Sequence, residues 1–125
     1  MYQVVSIDEP MWPSLREMFD ELGEPPQVLT RDSPHPLVVH EVMGQLTFVQ
    51  EGSGFISLDG DERAVKAGDL LILSSRCEHA FLSAVDGELV LRHWHWPAAL
   101  LETDRKILTW DYRFSLPGAA VSAGD

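Results

Sequence analysis

The chain has 125 residues, a single cysteine, and 20 acidic against 9 basic side chains, giving a net charge of −11. That length suits one domain over residues 1–125 with a real core, and the lone Cys77 excludes an internal disulfide. The acidic balance argues against nucleic acid or an anionic membrane surface as partner of this chain, and with neither a spanning apolar run nor a signal-peptide pattern a soluble cytoplasmic protein is expected.

Residues 1–7 alternate weakly and suit an arm strand. Asp8-Glu9-Pro10 then resembles a helix start with Asp8 as N-cap. Leu15, Met18, Phe19 and Leu22 recur at helical spacing, so a short amphipathic helix is expected over 11–22, with Gly23 at C′ and Pro25-Pro26 preventing continuation. Residues 1–36 thus form an N-terminal arm and helix.

From Gln27 onward the signals are β. Short extended pieces are expected at 28–29 and 37–40, and strands at 45–51, 55–58, 63–66, 70–73, 80–83, 88–96 and 107–114. Turns at Gly52-Ser53-Gly54, Asp59-Gly60-Asp61, Gly68-Asp69 and Asp86-Gly87 separate them. Many short strands with one helix make this an all-β sandwich or small barrel over 37–114, followed by a flexible tail at 115–125.

The stretch from Val38 to Ser83 carries the chemistry. It holds His40, Gln45, Gly52, Gly68 and His79 at spacings that resemble the two motifs of the cupin family over residues 38–96. His40 stands at the second histidine of the first motif, Gln45 at its glutamate and Gly52 at its glycine. Val38 occupies the first histidine position. In the second motif Gly68, His79 and Ser83 match, whereas Ser74 and Arg76 replace the proline and glycine. The resemblance implies a double-stranded β-helix, the jelly-roll barrel.

It also implies metal chemistry, because metal-binding cupins use three histidines and a glutamate inside the barrel. One histidine is lost here and the carboxylate has become an amide, a neutral and poorer ligand. The expected metal set is His40, Gln45 and His79, holding Fe(II), Ni(II), Zn(II) or Mn(II) weakly. Glu41, Glu78 and Tyr112 are the candidate acids or bases, with a bulge needed to turn Glu41 inward.

A second resemblance lies in the run from Gln45 to Gly54 and in Trp94-His95-Trp96, which look like the effector-binding domains of AraC-type regulators. Those domains bind sugars or other small molecules without metal and are followed by a DNA-binding part, which this chain is not expected to supply.

Strand 88–96 shows two imidazoles, His93 and His95, on one face, and Arg92, Trp94 and Trp96 on the other. An inward His face would supply the missing ligand. An inward tryptophan face would give a flat wall for a planar or sugar ring. All five residues, with Gln45, are candidates for substrate binding. His35 is expected at the surface, Cys77 as a buried small hydrophobe, and Trp110, Tyr112 and Phe114 as packing residues.

Three functions follow as expectations. The leading one is a metal-dependent enzyme acting on a small organic substrate inside the barrel, of oxygenase, isomerase, cyclase or lyase type. The others are a non-catalytic sensor domain and a metal-free acid–base enzyme using the barrel histidines. Exposed barrel edges favour a homodimer.

Overall fold

The computed structural model describes residues 1–84 and 86–116. Its strands are β1 (Tyr2–Ser6), β2 (Gln27–Leu29), β3 (Leu37–Val39), β4 (Gly44–Glu51), β5 (Ser53–Leu58), β6 (Asp61–Lys66), β7 (Asp69–Leu73), β8 (His79–Ser83), β9 (Leu89–Trp96) and β10 (Lys106–Thr109). One helix, α1 (Trp12–Leu22), follows a single 3-10 turn at Glu9–Met11. The strands make two five-stranded antiparallel sheets, ordered β1-β7-β4-β9-β2 and β10-β3-β8-β5-β6. They face each other as a jelly-roll barrel.

Alternation decides what fills the barrel. Along β9, Leu89 and Leu91 enter the apolar core, and along β4 Val49 joins them. Ile56, Leu58, Leu71 and Leu73 complete that packing from the other strands. Two residues further along β9 and β4 the inward positions become His93 and Thr47, and then His95 and Gln45. One end of the interior is therefore hydrocarbon and the other polar.

The outer faces are covered too. Phe19 of α1 stacks on Phe48 of β4 at 6.4 Å between ring centroids, and Trp12 meets Phe48 edge-on at 6.3 Å. Phe19 and Phe48 are fully buried, each stabilising the fold by about 1.5–3 kcal/mol. On the second sheet, Phe114, Tyr112 and Leu116 cover Ala80 and Leu82.

Most expected elements appear within a residue or two of their bounds, and four details differ. Asp8 makes no side-chain cap, because Pro10 in the first turn has already removed one of the amides a cap would serve. Gly23 is extended, φ −103°, instead of left-handed. Its need is for space, since a Cβ there would lie 2.5 Å from the His93 carbonyl oxygen. The last strand stops at Thr109 after a register shift, leaving Trp110 72 % exposed instead of packed. His35 is not a plain surface residue, because its Nε2 pairs with Asp111 at 2.8 Å. From residue 117 on, the expected tail lies outside the described residues.

Gly52 does require a left-handed backbone. Its φ is +85°, and a Cβ would sit 1.9 Å from the Glu88 carbonyl oxygen, so only glycine closes the β4–β5 connection there.

Candidate functional site

The polar end of the barrel gathers four buried histidines. His95 pairs with Gln45 and His93 with Thr47 across β9 and β4, while His79 opens β8 opposite Val38 of β3. His40 follows β3 on the same inward side as Val38. The His40 ring lies 4.8 Å from His95 and 5.5 Å from His79 between centroids, and His93 lies 6.0 Å from His95. With Gln45 they line a cavity of about 430 Å3, whose remaining wall includes Val38, Phe81, Leu101 and several prolines.

Hydrogen bonds fix which nitrogen of each ring is free. His40 Nδ1 lies 2.5 Å from the Asp104 carbonyl oxygen, and His79 Nδ1 lies 2.9 Å from that of Cys77. Carbonyl oxygens only accept, so both Nδ1 atoms carry the proton and both Nε2 atoms keep a lone pair. His95 Nδ1 sits 2.8 and 3.0 Å from the two Glu24 carboxylate oxygens, so it is the donor there and Nε2 is the nitrogen without that partner. His93 differs. Its Nε2 donates to Gln27 Oε1 at 2.6 Å and its Nδ1 accepts from Thr47 Oγ1 at 2.7 Å, so neither nitrogen is available.

Gln45 Nε2 donates to Thr47 Oγ1 at 2.8 Å, which lets the Thr47 hydroxyl donate onward to His93. Gln45 Oε1 is buried with no partner among the described residues. An orphaned buried acceptor costs about 1–3 kcal/mol, so something in the cavity is expected to satisfy it.

Burial disfavours the charged form of three of the rings. Burial pushes His79 down to about 4, with the neighbouring His40 and His95 adding to the shift. Burial also lowers His93 to about 3, again reinforced by the other imidazoles. His40 is lowered mainly by burial, against the opposing hydrogen bond to Asp104. Neutral imidazole is the form that ligates.

Several expected site residues lie elsewhere. Arg92, Trp94 and Trp96 occupy the outer face of β9, because its alternation gives the inner face to the histidines. Arg92 is buried under α1, donating to Asp20 at 2.7 Å and Gln50 at 3.2 Å, and Trp94 and Trp96 pack against each other. They form no ligand wall. Glu41 is an exposed partner of Arg76, since β3 ends at Val39 and no bulge turns Glu41 inward. Glu78 is exposed in the turn before β8. Tyr112 donates to Glu62 at 2.6 Å on the outside of the second sheet. None of the three catalytic candidates lines the cavity. Cys77 is buried as expected, and burial, with Asp59 nearby, pushes its thiol up to about 12.

The structure adds residues that spacing did not reveal. Glu24 reaches the cavity because the chain leaves α1 at Gly23 directly against β9, with the Glu24 amide donating to the His93 carbonyl at 2.9 Å. Asp104 orients His40 through its main chain. Its carboxylate meanwhile takes the amides of Glu41, Val42 and Met43 at 2.9, 2.8 and 2.7 Å. Desolvation alone would raise that carboxyl, but the three amides more than offset it and hold it below the usual range. Leu101 and Arg105 of the same segment line the cavity.

The Cupin domain family matches residues 30–96, more than half of the chain. The chain belongs to the cupin family. No curated protein matches the chain in sequence. Among solved structures, this cupin is similar to a salicylate 1,2-dioxygenase from Pseudaminobacter salicylatoxidans, at 15% identity and TM-score 0.56 over 66% of this chain and 24% of that one. It is also similar to a cupin protein from Bacteroides fragilis, at 23% identity and TM-score 0.54 over 73% of this chain and 75% of the other. The chain spans about a quarter of the length of the dioxygenase chains. At these identities the likeness describes the fold.

Cupin barrels imply a metal, and the donor chemistry here fits one. Three imidazole Nε2 atoms and one amide oxygen belong to residues lining a single cavity, all of them atoms of a kind that ligates metal. Imidazoles bonded to one ion at about 2.1 Å have centroids about 5 Å apart, close to the two spacings seen around His40. The side chains are not gathered tightly enough for a preformed centre: among the described residues no group of three or more His, Cys, Asp or Glu is placed so that it could hold a metal ion as it stands.

Proposed function

We propose that this cupin is a small-molecule enzyme that works inside its barrel with a divalent metal held by His40, His79, His95 and Gln45. The observation that supports this most is the common state of three rings. His40, His79 and His95 each give Nδ1–H to an oxygen, of Asp104, Cys77 and Glu24, leaving three Nε2 atoms on the wall of one cavity. Partners of this kind raise ligand basicity and fix ring orientation. His95 thus takes the part that Val38 cannot play.

A bound ion would act as a Lewis acid on a substrate oxygen. The chain's own residues supply the rest. Gln45 Oε1 offers either a ligand or an acceptor for a substrate hydroxyl. Val38, Phe81, Leu101 and the prolines exclude water from the apolar part of a substrate. Glu24 is the carboxylate on the cavity wall, so proton transfer at the site falls to it in place of Glu41, Glu78 or Tyr112.

The test is metal content by plasma mass spectrometry, with calorimetric titration of tag-free protein against Fe(II), Ni(II), Zn(II) and Mn(II). Near-stoichiometric binding that falls in both His79→Ala and His95→Ala supports the assignment. Absence of binding for all four ions overturns it, and loss in His79→Ala alone removes His95 from the set.

A further inference from the structure

We propose that Arg105 is the anchor for an anionic group on the ligand, so that the cavity takes a small organic carboxylate with an apolar body. This deepens the proposed function by naming a substrate class, and it rests on the cavity being a ligand site and not on the identity of any metal.

Arg105 lines the cavity beside Leu101. It is the only Lys or Arg among the described cavity-lining residues, in a protein whose formal net charge is −11. Behind burial, the main cause, its charge still adds to the lowering of His40 and His79, so the guanidinium faces the same space as the rings.

The carboxylates of the adjacent residue and of the cavity wall are engaged elsewhere. Adjacent Asp104 is held by the amides of residues 41–43, and Glu24 is bonded to His95 Nδ1. Arg105 has no ion-pair or hydrogen-bond partner among the described residues. Other basic residues on the same barrel are paired: Arg76 with Glu41, Arg92 with Asp20, Lys66 with Asp69 and Arg63 with Asp61.

A guanidinium is a planar fork that matches a carboxylate with two parallel hydrogen bonds. Its place is also fixed. Asp104 clamps the segment just before it onto residues 41–43, and the same residue's carbonyl orients His40. Anchor and ring are thereby tied one residue apart. A carboxylate held at Arg105 would lay the ligand body along Val38, Phe81, Leu101 and the prolines, toward the imidazoles.

The experiment is a titration of chelator-treated protein followed by NMR of the histidine side-chain nitrogens. The probes are benzoate and phenylacetate, each paired with its neutral amide, benzamide and phenylacetamide. Both carboxylates are expected to shift the cavity histidine signals and the amides to bind at least about tenfold more weakly. Arg105→Gln should weaken carboxylate binding about tenfold or more, with Arg105→Lys retaining part of it. Arg105 is exposed, so its substitution leaves the fold and the melting temperature unchanged. Equal binding of acid and amide, an unaffected Arg105→Gln, or no histidine response to either carboxylate at tens of millimolar overturns the proposal. Metal affinity of Arg105→Gln is measured separately and should be no weaker than that of the wild type, since the substitution removes a positive charge beside the rings. Failure of the metal assignment with carboxylate binding intact, or the reverse, therefore tells the two readings apart.

Discussion

Replacing Gln45 by glutamate tests the site with effects of opposite sign in one molecule. The side chain keeps its volume, but Nε2 no longer donates to Thr47 at 2.8 Å, which removes about 1 kcal/mol. It also places a carboxylate at a position only 3 % exposed, beside rings whose N–H protons are already given to other acceptors. Without metal, burying that group costs a few kcal/mol, whether it stays ionised or takes up a proton. The net loss is about 2–4 kcal/mol, which for a chain of this size lowers Tm by roughly 10 °C. With a divalent ion present the sign reverses. A unit charge pair at 4 Å is worth about 4 kcal/mol at an effective dielectric of 20, and desolvation removes part of that. A gain of about 1.4–3 kcal/mol remains, or 10- to 100-fold in Kd. Calorimetry in chelator reads the first effect and titration with Zn(II) or Mn(II) reads the second. A variant that binds metal no better than wild type would refute the claim that Gln45 belongs to the donor set, whatever its stability.

Three further outcomes follow. Glu24→Gln should weaken metal binding about 10- to 100-fold by titration while His79→Ala weakens it further, because Glu24 orients a metal-binding ring without holding the ion itself. Cys77, 2 % exposed with its thiol raised to about 12, should react with iodoacetamide only as the protein unfolds, so fast labelling at pH 8 in native buffer would contradict its placement. Desolvation acts to raise the Glu62 carboxyl, but hydrogen bonds from Tyr112, Ser115 and Leu116 outweigh it and hold the folded pKa below 4.5. Its stabilisation is therefore present above about pH 4.5 and lost as pH falls further. Urea midpoints of wild type and Glu62→Gln should converge on acidification, and a constant gap would count against the assignment.

The barrel was legible because its turns are chemical necessities. Gly52 and the Asp59-Gly60 pair sit where the backbone must be left-handed, and the strands between them follow. His40, Gln45 and His79 were legible for the same reason, since they keep fixed distances from those turns. The face of β9 was not, because both of its faces carry unusual residues. The deciding contact is Arg92 with Asp20, a pair 72 residues apart that depends on where α1 packs. Glu41 and Glu78 adjoin cavity histidines in sequence, yet neither lines the cavity. Glu41 lies one residue past a strand that has already ended, and its side chain finds Arg76 in solvent. Glu24 and Asp104 carry no local signal at all. Each is a carboxylate in a turn until the fold brings it against a histidine.

That division has a consequence for how this site would vary. His40, Gln45, His79, His93 and His95 all lie within residues 30–96, the part shared with the family. Glu24, Asp104 and Arg105 lie outside it, in the segment that leaves α1 and in the segment that follows β9. In the proposed site the barrel would supply the donors, and the flanks their orientation and the charge that meets a ligand. Barrel donors are held by sheet register, where shifting one residue turns every side chain to the other face. Flank residues are held by a few hydrogen bonds, such as the three amides on Asp104, and can be exchanged without disturbing the sheets. Changing a flank should alter how the histidine rings are held and which molecule enters the cavity while leaving the sheets as they are, which places specificity in the segments the fold constrains least.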